Sequence, residues 1–345
     1  MNLSRRTLVA LSVLAAPALA SCSGSAGDGG ADGGGAAGDH YAAVTHFYGE
    51  TVIEAEPVRI ATVSWVNADT MLALGLVPIG MPTVTWGGNG NGSTDWIDTK
   101  LEELGAGWDT DGAPTQYDES DGINYDEIAA LTPDLIIAAY SGVTQEEYDQ
   151  LTRIAPTIGP LAPNYTASWE DTLAAVGAAT GRSEEAATLA EQISADLAAV
   201  GEENPAVAGA TFIAGTLGLA DSSIALYVGE DTRPRFFTAL GMTQAEVVTE
   251  NTEDAENFYL EWSSERADEL DSDLFYTWAA PGSSIDDFQA DPLFAQIPAV
   301  DAGGVVLTDD DHLTLSISAA NALSLPWALE HFVPTVVEVA QSVRG

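Results

Sequence analysis

The stretch SWEDTLAAVGAATGRSEEAATLAEQISADLAAVG, residues 168–201, decides how the rest of the chain is read. Ser168 and Asp171 open a capping box, and Leu189, Ile193, Leu197 and Val200 recur on one helical face. Only Gly177 and Gly181 interrupt the pattern, so one helix of about 32 residues and roughly 48 Å is expected. A helix of that length bridges two lobes.

Both flanks alternate between strand and helix signals. Upstream, residues 58–63 are an apolar β-rich run, followed by Asn67 as a helix cap and Gly75 as a helix stop, and residues 77–81 read as the next strand. Asn124 and Glu127 form a capping box, residues 135–140 a strand, Thr144 caps a helix to residue 155, and residues 157–161 are strand-like. Downstream, strands are expected at 211–217, 224–228, 273–279 and 305–308. Helices are expected at 233–240, 264–270 and 318–343, with Pro326 and Pro334 as kinks or breaks. Such alternation implies parallel sheets. The predicted fold is therefore α/β: two Rossmann-like lobes, 41–167 and 202–345, joined by the single helix 168–201.

The first 40 residues read as an address and a tether. Arg5 and Arg6 precede an apolar run too short to span a bilayer, so residues 1–21 are read as a signal peptide. Leu19, Ala20, Ser21 and Cys22 resemble the lipobox of bacterial lipoproteins, in which Cys22 takes a diacylglycerol and becomes the first residue. Cleavage after small residues that leaves Cys22 free is the alternative. Residues 4–8 also resemble the twin-arginine export motif. Residues 22–40, mostly Gly, Ala, Ser and Asp, bury too little surface to order themselves and are read as a flexible tether.

Composition removes whole classes of function. Lys plus Arg number 10 against 53 Asp plus Glu, a formal charge of -43, and such a surface repels nucleic acid. The single cysteine, Cys22, forms no internal disulfide and no Cys metal cluster. His40, His46, His312 and His331 lack the spacing of a metal site and are read as surface or capping residues. Nucleophile-elbow, zincin and P-loop motifs are absent. Gly88, Gly90 and Gly92 are read as a loop, and Asp109, Asp111 and Gly112 as a solvated turn.

In an open α/β sheet the ligand crevice lies at the carboxyl ends of the strands. Trp65, Trp86, Tyr140 and Trp278 each follow or end an expected strand, so aromatic faces from two lobes suit a large, partly apolar ligand. Core packing is the alternative for each. Arg233 and Arg235 sit in a first helical turn, where cations are disfavoured. Two accounts stand: a salt bridge to a nearby carboxylate, or hydrogen bonds from the Arg233 fork to ligand oxygens.

The segments EPVRIATVSWVNADTMLALGLVPIGMP (56–82), GEDTRPRFFTALGM (229–242) and DPLFAQIPAVDAGGVVLTDDDHLTLSISAANALSLPWAL (291–329), with two between them, resemble the iron–siderophore substrate-binding proteins of ABC importers. The resemblance runs from Val44 to the end. It implies an extracytoplasmic, lipid-anchored monomer that is no enzyme and delivers a ferric siderophore to permease subunits. Ferric iron is then cargo already enclosed by siderophore oxygens, so no cofactor and no protein metal ligands are implied. The family pattern favours Arg233 over Arg235, and the scarcity of lysine favours a neutral or cationic hydroxamate chelate. A glutamate on each lobe pairs with permease arginines in related binders, and the matching places are Glu146 and Glu265, with Glu147 interchangeable with Glu146. A haem or cobalamin binder of the same fold is the nearest alternative, and a secreted lipid-anchored hydrolase is the alternative from another class.

Overall fold

The computed structural model describes residues 41–252 and 258–345. The signal peptide, the tether, the lipobox with Cys22, and His40 lie outside the described residues.

A hairpin of β1 (Ala42–His46) and β2 (Gly49–Ile53) precedes the first sheet. Sequence reasoning missed it. That sheet holds β3 (Ile60–Thr62), β4 (Gly80–Pro82), β5 (Thr115–Tyr117), β6 (Leu135–Ile137) and β7 (Thr157–Ile158). Its order is β5-β4-β3-β6-β7 with every pair parallel, as the alternation required. The chain reverses direction across the sheet between β3 and β6. Their carboxyl ends therefore open the crevice that such a switch point creates.

The second sheet is mixed, not the plain continuation that the strand and helix signals implied. Its members are β8 (Thr211–Gly218), β9 (Ser223–Tyr227), β10 (Thr243–Gln244), β11 (Tyr259–Trp262), β12 (Leu274–Trp278) and β13 (Val305–Thr308). The path is β11-β9-β8-β12-β13, with β10 beside the start of β8. A short turn joins β8 to β9, which makes that pair an antiparallel hairpin, while β8, β12 and β13 are mutually parallel. A tight turn cannot supply the crossover that a parallel pair needs.

The expected single helix over 168–201 is corrected to two helices, Trp169–Ala179 and Ser183–Glu203. Gly181 lies at φ 70°, and the Arg182 amide donates to the Gly177 carbonyl at 2.7 Å, the closure of a Schellman turn. A Cβ on Gly177 would stand 2.7 Å from the Ala186 Cβ, so this glycine lets the two helices press together. The two interruptions are thus a corner. Helix Trp169–Ala179 packs on β1 and the first lobe, and Ser183–Glu203 packs on helices of the second.

Other boundaries shift for local reasons. Ser168 and Thr144 cap as expected, through the amides of Asp171 and Glu147. Asn67 is not a cap: Val66 holds that place at φ 55°, and the Asn67 side chain reaches the loops of β3 and β6 instead. The last helical region is three helices, Asp311–Ser318, Ser324–His331 and Val333–Arg344. Pro334 starts the third, whereas Pro326 is accommodated in the first turn of the second. Leu315, Ala319 and Trp327 pack with Val66 and Trp96, so this part of the second half also covers the first lobe.

Two histidines depart from the surface reading. His46 is buried, with Nε2 3.0 Å from the Thr51 hydroxyl and 3.2 Å from the Tyr148 hydroxyl, and burial lowers its pKa. His312 is wedged between Trp96 and Trp327, its Nδ1 2.6 Å from the Gly87 carbonyl.

Candidate functional site: an aromatic row across two lobes

The loop after β3 is forced outward. Ser64 and Val66 both take left-handed backbone, at φ 64° and 55°, a conformation that costs non-glycine residues energy and is kept where the surroundings impose it. Trp65, between them, is 46% exposed. Its ring lies 6.2 Å from that of Trp86, which follows β4, with the planes 21° apart. Trp86 meets Trp278 at the end of β12 edge-on, 6.0 Å between centroids. Trp65 also stands 6.3 Å from Tyr165, which stands 5.7 Å from Tyr140. Five aromatic rings therefore form one row from the first sheet to the second.

All four aromatics expected from strand ends belong to this row. Tyr165 was missed, because β7 is only two residues long and the tyrosine comes seven residues after it. Its position depends on Gly142: a Cβ there would stand 2.6 Å from the Tyr165 ring. Tyr140 is the buried end of the row, and burial raises the pKa of its phenol.

Arg233 approaches the row from the second lobe. Its Nε and Nη2 donate to the two carboxylate oxygens of Asp231 at 2.7 and 2.8 Å, and its guanidinium carbon lies 3.4 Å above the centre of the Tyr227 ring. Burial opposes the cation, but the Asp231 bonds outweigh it and hold the guanidinium above its ordinary pKa. The Tyr227 hydroxyl accepts from Trp278 Nε1 at 3.0 Å, so arginine, tyrosine and tryptophan form one braced unit. The salt-bridge account of Arg233 is realised here. Tyr227 was hidden from the sequence reading because nothing marked β9 as an antiparallel strand.

Arg235 is elsewhere. It lines a cavity of about 480 Å³ with Ser168, Trp169, Glu170 and Phe236, and none of Trp65, Trp86 and Trp278 lines that cavity. A second recess, about 330 Å³, opens at the carboxyl ends of the first sheet against Trp65 and Tyr165. Two rings of the row, Trp65 and Tyr165, line this recess together with two carboxylates, Glu119 and Glu147. Glu119 accepts from the Ser64 amide at 2.9 Å. Burial lifts its pKa to about 7, against the pull of the Ser64 bond, with the Glu147 charge adding to the rise.

The helix Gln145–Leu151 separates Glu146 from Glu147. Glu147 closes a capping box, accepting from the amide and hydroxyl of Thr144 at 2.8 Å each, while Glu146 stands exposed. The two are therefore not interchangeable. Glu265 is exposed on the 3-10 helix Ser264–Glu269, between β11 and β12. Among the described residues no three His, Cys, Asp or Glu side chains converge on a metal position.

Comparison with known proteins bears on the fold and the family. Residues 60–312 match the periplasmic binding protein family. YhfQ of Bacillus subtilis, named as a substrate-binding lipoprotein of an ABC transporter, is 31% identical over 185 residues, 52% of this chain and 51% of its own length. The chain thus spans about half of that relative. The Fe(3+)-citrate-binding protein YfmC of Bacillus subtilis is 28% identical over 77% of this chain and 78% of its own. Among solved structures, Streptococcus pneumoniae PiaA in complex with ferrichrome superposes with a TM-score of 0.80 at 28% identity, covering 88% of this chain and 99% of that one.

Proposed function

The chain belongs to the periplasmic binding protein family, and from that membership we propose that it captures a ferric siderophore of the hydroxamate type and delivers it to the permease of an ABC importer. The observation that carries the reading is the row Tyr140, Tyr165, Trp65, Trp86 and Trp278, which offers aromatic faces from both lobes to a bulky, partly apolar chelate. A chelate delivers its iron already enclosed by oxygens, so aromatic walls and a few polar groups suffice.

PiaA, which holds ferrichrome in its crystal structure, supports the hydroxamate class. A free ferric citrate complex fits less well. It is anionic, the recess carries Glu119 and Glu147, and the guanidinium of Arg233 is already engaged by Asp231. In this reading Trp65, Trp86, Tyr140 and Trp278 contact the chelate, Arg233 braces the Tyr227 and Trp278 wall, and Arg235 is peripheral. Exposed Glu146 and Glu265 meet permease arginines, and a diacylglycerol on Cys22 holds the protein at the outer face of the cytoplasmic membrane after export, by the twin-arginine or the general route.

Native mass spectrometry of the mature protein against ferrichrome, ferrioxamine B, a ferric catecholate, ferric citrate, haem and cobalamin tests the assignment. One equivalent of a ferric hydroxamate is expected. Retention of none of the iron chelates overturns it.

A further inference from the structure

We propose that the Glu119 carboxylate selects, within the siderophore site, for chelates that carry a cationic group. The inference rests on the siderophore reading and specifies the charge of the cargo.

Glu119 follows β5 and lines the recess beside Trp65 and Tyr165, two of the five rings in the row. Its Oε2 is held by the Ser64 amide, in the same left-handed turn that exposes Trp65, so the carboxylate and the tryptophan are positioned together. Its Oε1 is buried and finds no hydrogen-bond partner among the described residues. No Lys, Arg or His lines this recess, and Glu119 forms no salt bridge among the described residues. The other carboxylate there, Glu147, is already bonded to Thr144.

A half-made carboxylate in a recess costs stability, because the interior returns only part of the solvation it removes. Burial and the Glu147 charge both penalise its ionised form. A cation bound in the recess reverses that penalty: it compensates both carboxylates at low local dielectric, whereas a neutral chelate leaves them as they were. An anionic chelate is repelled. The arrangement that is unfavourable in the empty protein therefore becomes a gain that only one charge class of cargo collects.

The test compares ferrioxamine B, which ends in a protonated amine, with its N-acetylated form, which has the same iron-binding groups and no charge. Affinities of both for the wild type and for Glu119→Gln are measured at pH 8 by tryptophan quenching. The wild type should favour the amine by about tenfold, the value of a charge-assisted contact, and Glu119→Gln should reduce the preference to about twofold or less. Equal affinities in the wild type, or a preference that survives Glu119→Gln, overturn the inference. The second result would mean that the overall negative charge is responsible. Should the glutamine variant fold poorly, Glu119→Met, of similar length and without polar atoms, answers the same question. If neither form binds the wild type while another ferric chelate of the panel does, the inference fails; if no ferric chelate of the panel binds, it is the siderophore reading that fails.

Discussion

Asn67 and the backbone of Tyr140 exchange two hydrogen bonds: Oδ1 accepts from the Tyr140 amide at 3.1 Å, and Nδ2 donates to the Tyr140 carbonyl at 3.0 Å. The same Nδ2 reaches the carbonyl of Val63 at 2.7 Å. One fully buried amide therefore ties the loop of Trp65 to the loop of Tyr140, across the switch point of the first sheet. Replacing it by alanine strands buried backbone groups, at about 1–3 kcal/mol each. Asn67→Ala should lower the urea midpoint clearly and weaken chelate binding; a variant with an unchanged midpoint and affinity would refute the bracing role.

Arg233 and Asp231 form a buried, bidentate pair, with side chains 11% and 9% exposed. Removing one partner leaves the other charge buried alone, a loss of about 3–5 kcal/mol, while neutralising both costs much less. Arg233→Ala should therefore unfold at a lower denaturant concentration than the double variant Asp231→Asn with Arg233→Met. Equal midpoints would show that the pair contributes nothing as a pair.

A bound ferric chelate lies against the tryptophans and should quench their emission saturably. Trp65→Ala and Trp278→Ala remove rings from opposite lobes, and each should weaken binding by about 3- to 10-fold, the aromatic share of a stacked contact. Trp262→Ala, whose ring packs in the second core away from the row, serves as the comparison. If the row variants bind as wild type, the chelate sits elsewhere.

Asp69 is buried and accepts at Oδ1 from Trp96 Nε1 at 2.7 Å and Asn321 Nδ2 at 3.1 Å. Burial lifts its pKa to about 6, and these two bonds oppose the rise. The folded state thus holds this proton more tightly than the unfolded chain, whose carboxyl titrates near 3.8. Below that value both states are protonated and no penalty exists; the penalty grows as pH rises from about 4 to 6 and is complete above. Asp69→Asn keeps an oxygen for both donors and removes the charge. Its stability advantage over wild type, measured by denaturant unfolding, should grow by up to about 3 kcal/mol between pH 4 and pH 7. A gap that is flat with pH would show that Asp69 titrates normally.

Docking on the permease is the remaining part of the functional proposal. Glu146→Ala with Glu265→Ala should lower cellular uptake of the siderophore while leaving its affinity in solution intact. Unchanged uptake refutes the docking pair without touching the binding site.

The sequence alone determined the strand and helix alternation, the helix starts at Ser168 and Thr144, and the four aromatics at strand ends. Each of these is written in neighbouring residues: a hydroxyl three positions before an acidic residue, or a tryptophan just past an apolar run. Tertiary structure decided the rest. Gly181 reads as a soft spot until Gly177 is seen pressed against Ala186, because a helix corner is fixed by the packing of its two arms. Arg233 reads equally as a ligand donor or an ion pair until Asp231 is found under both nitrogens. Glu119, one of 53 acidic residues, carries no local mark at all. Its character comes from burial beside Trp65 and from the charge of Glu147, 28 positions along the chain, and only the fold brings those groups together.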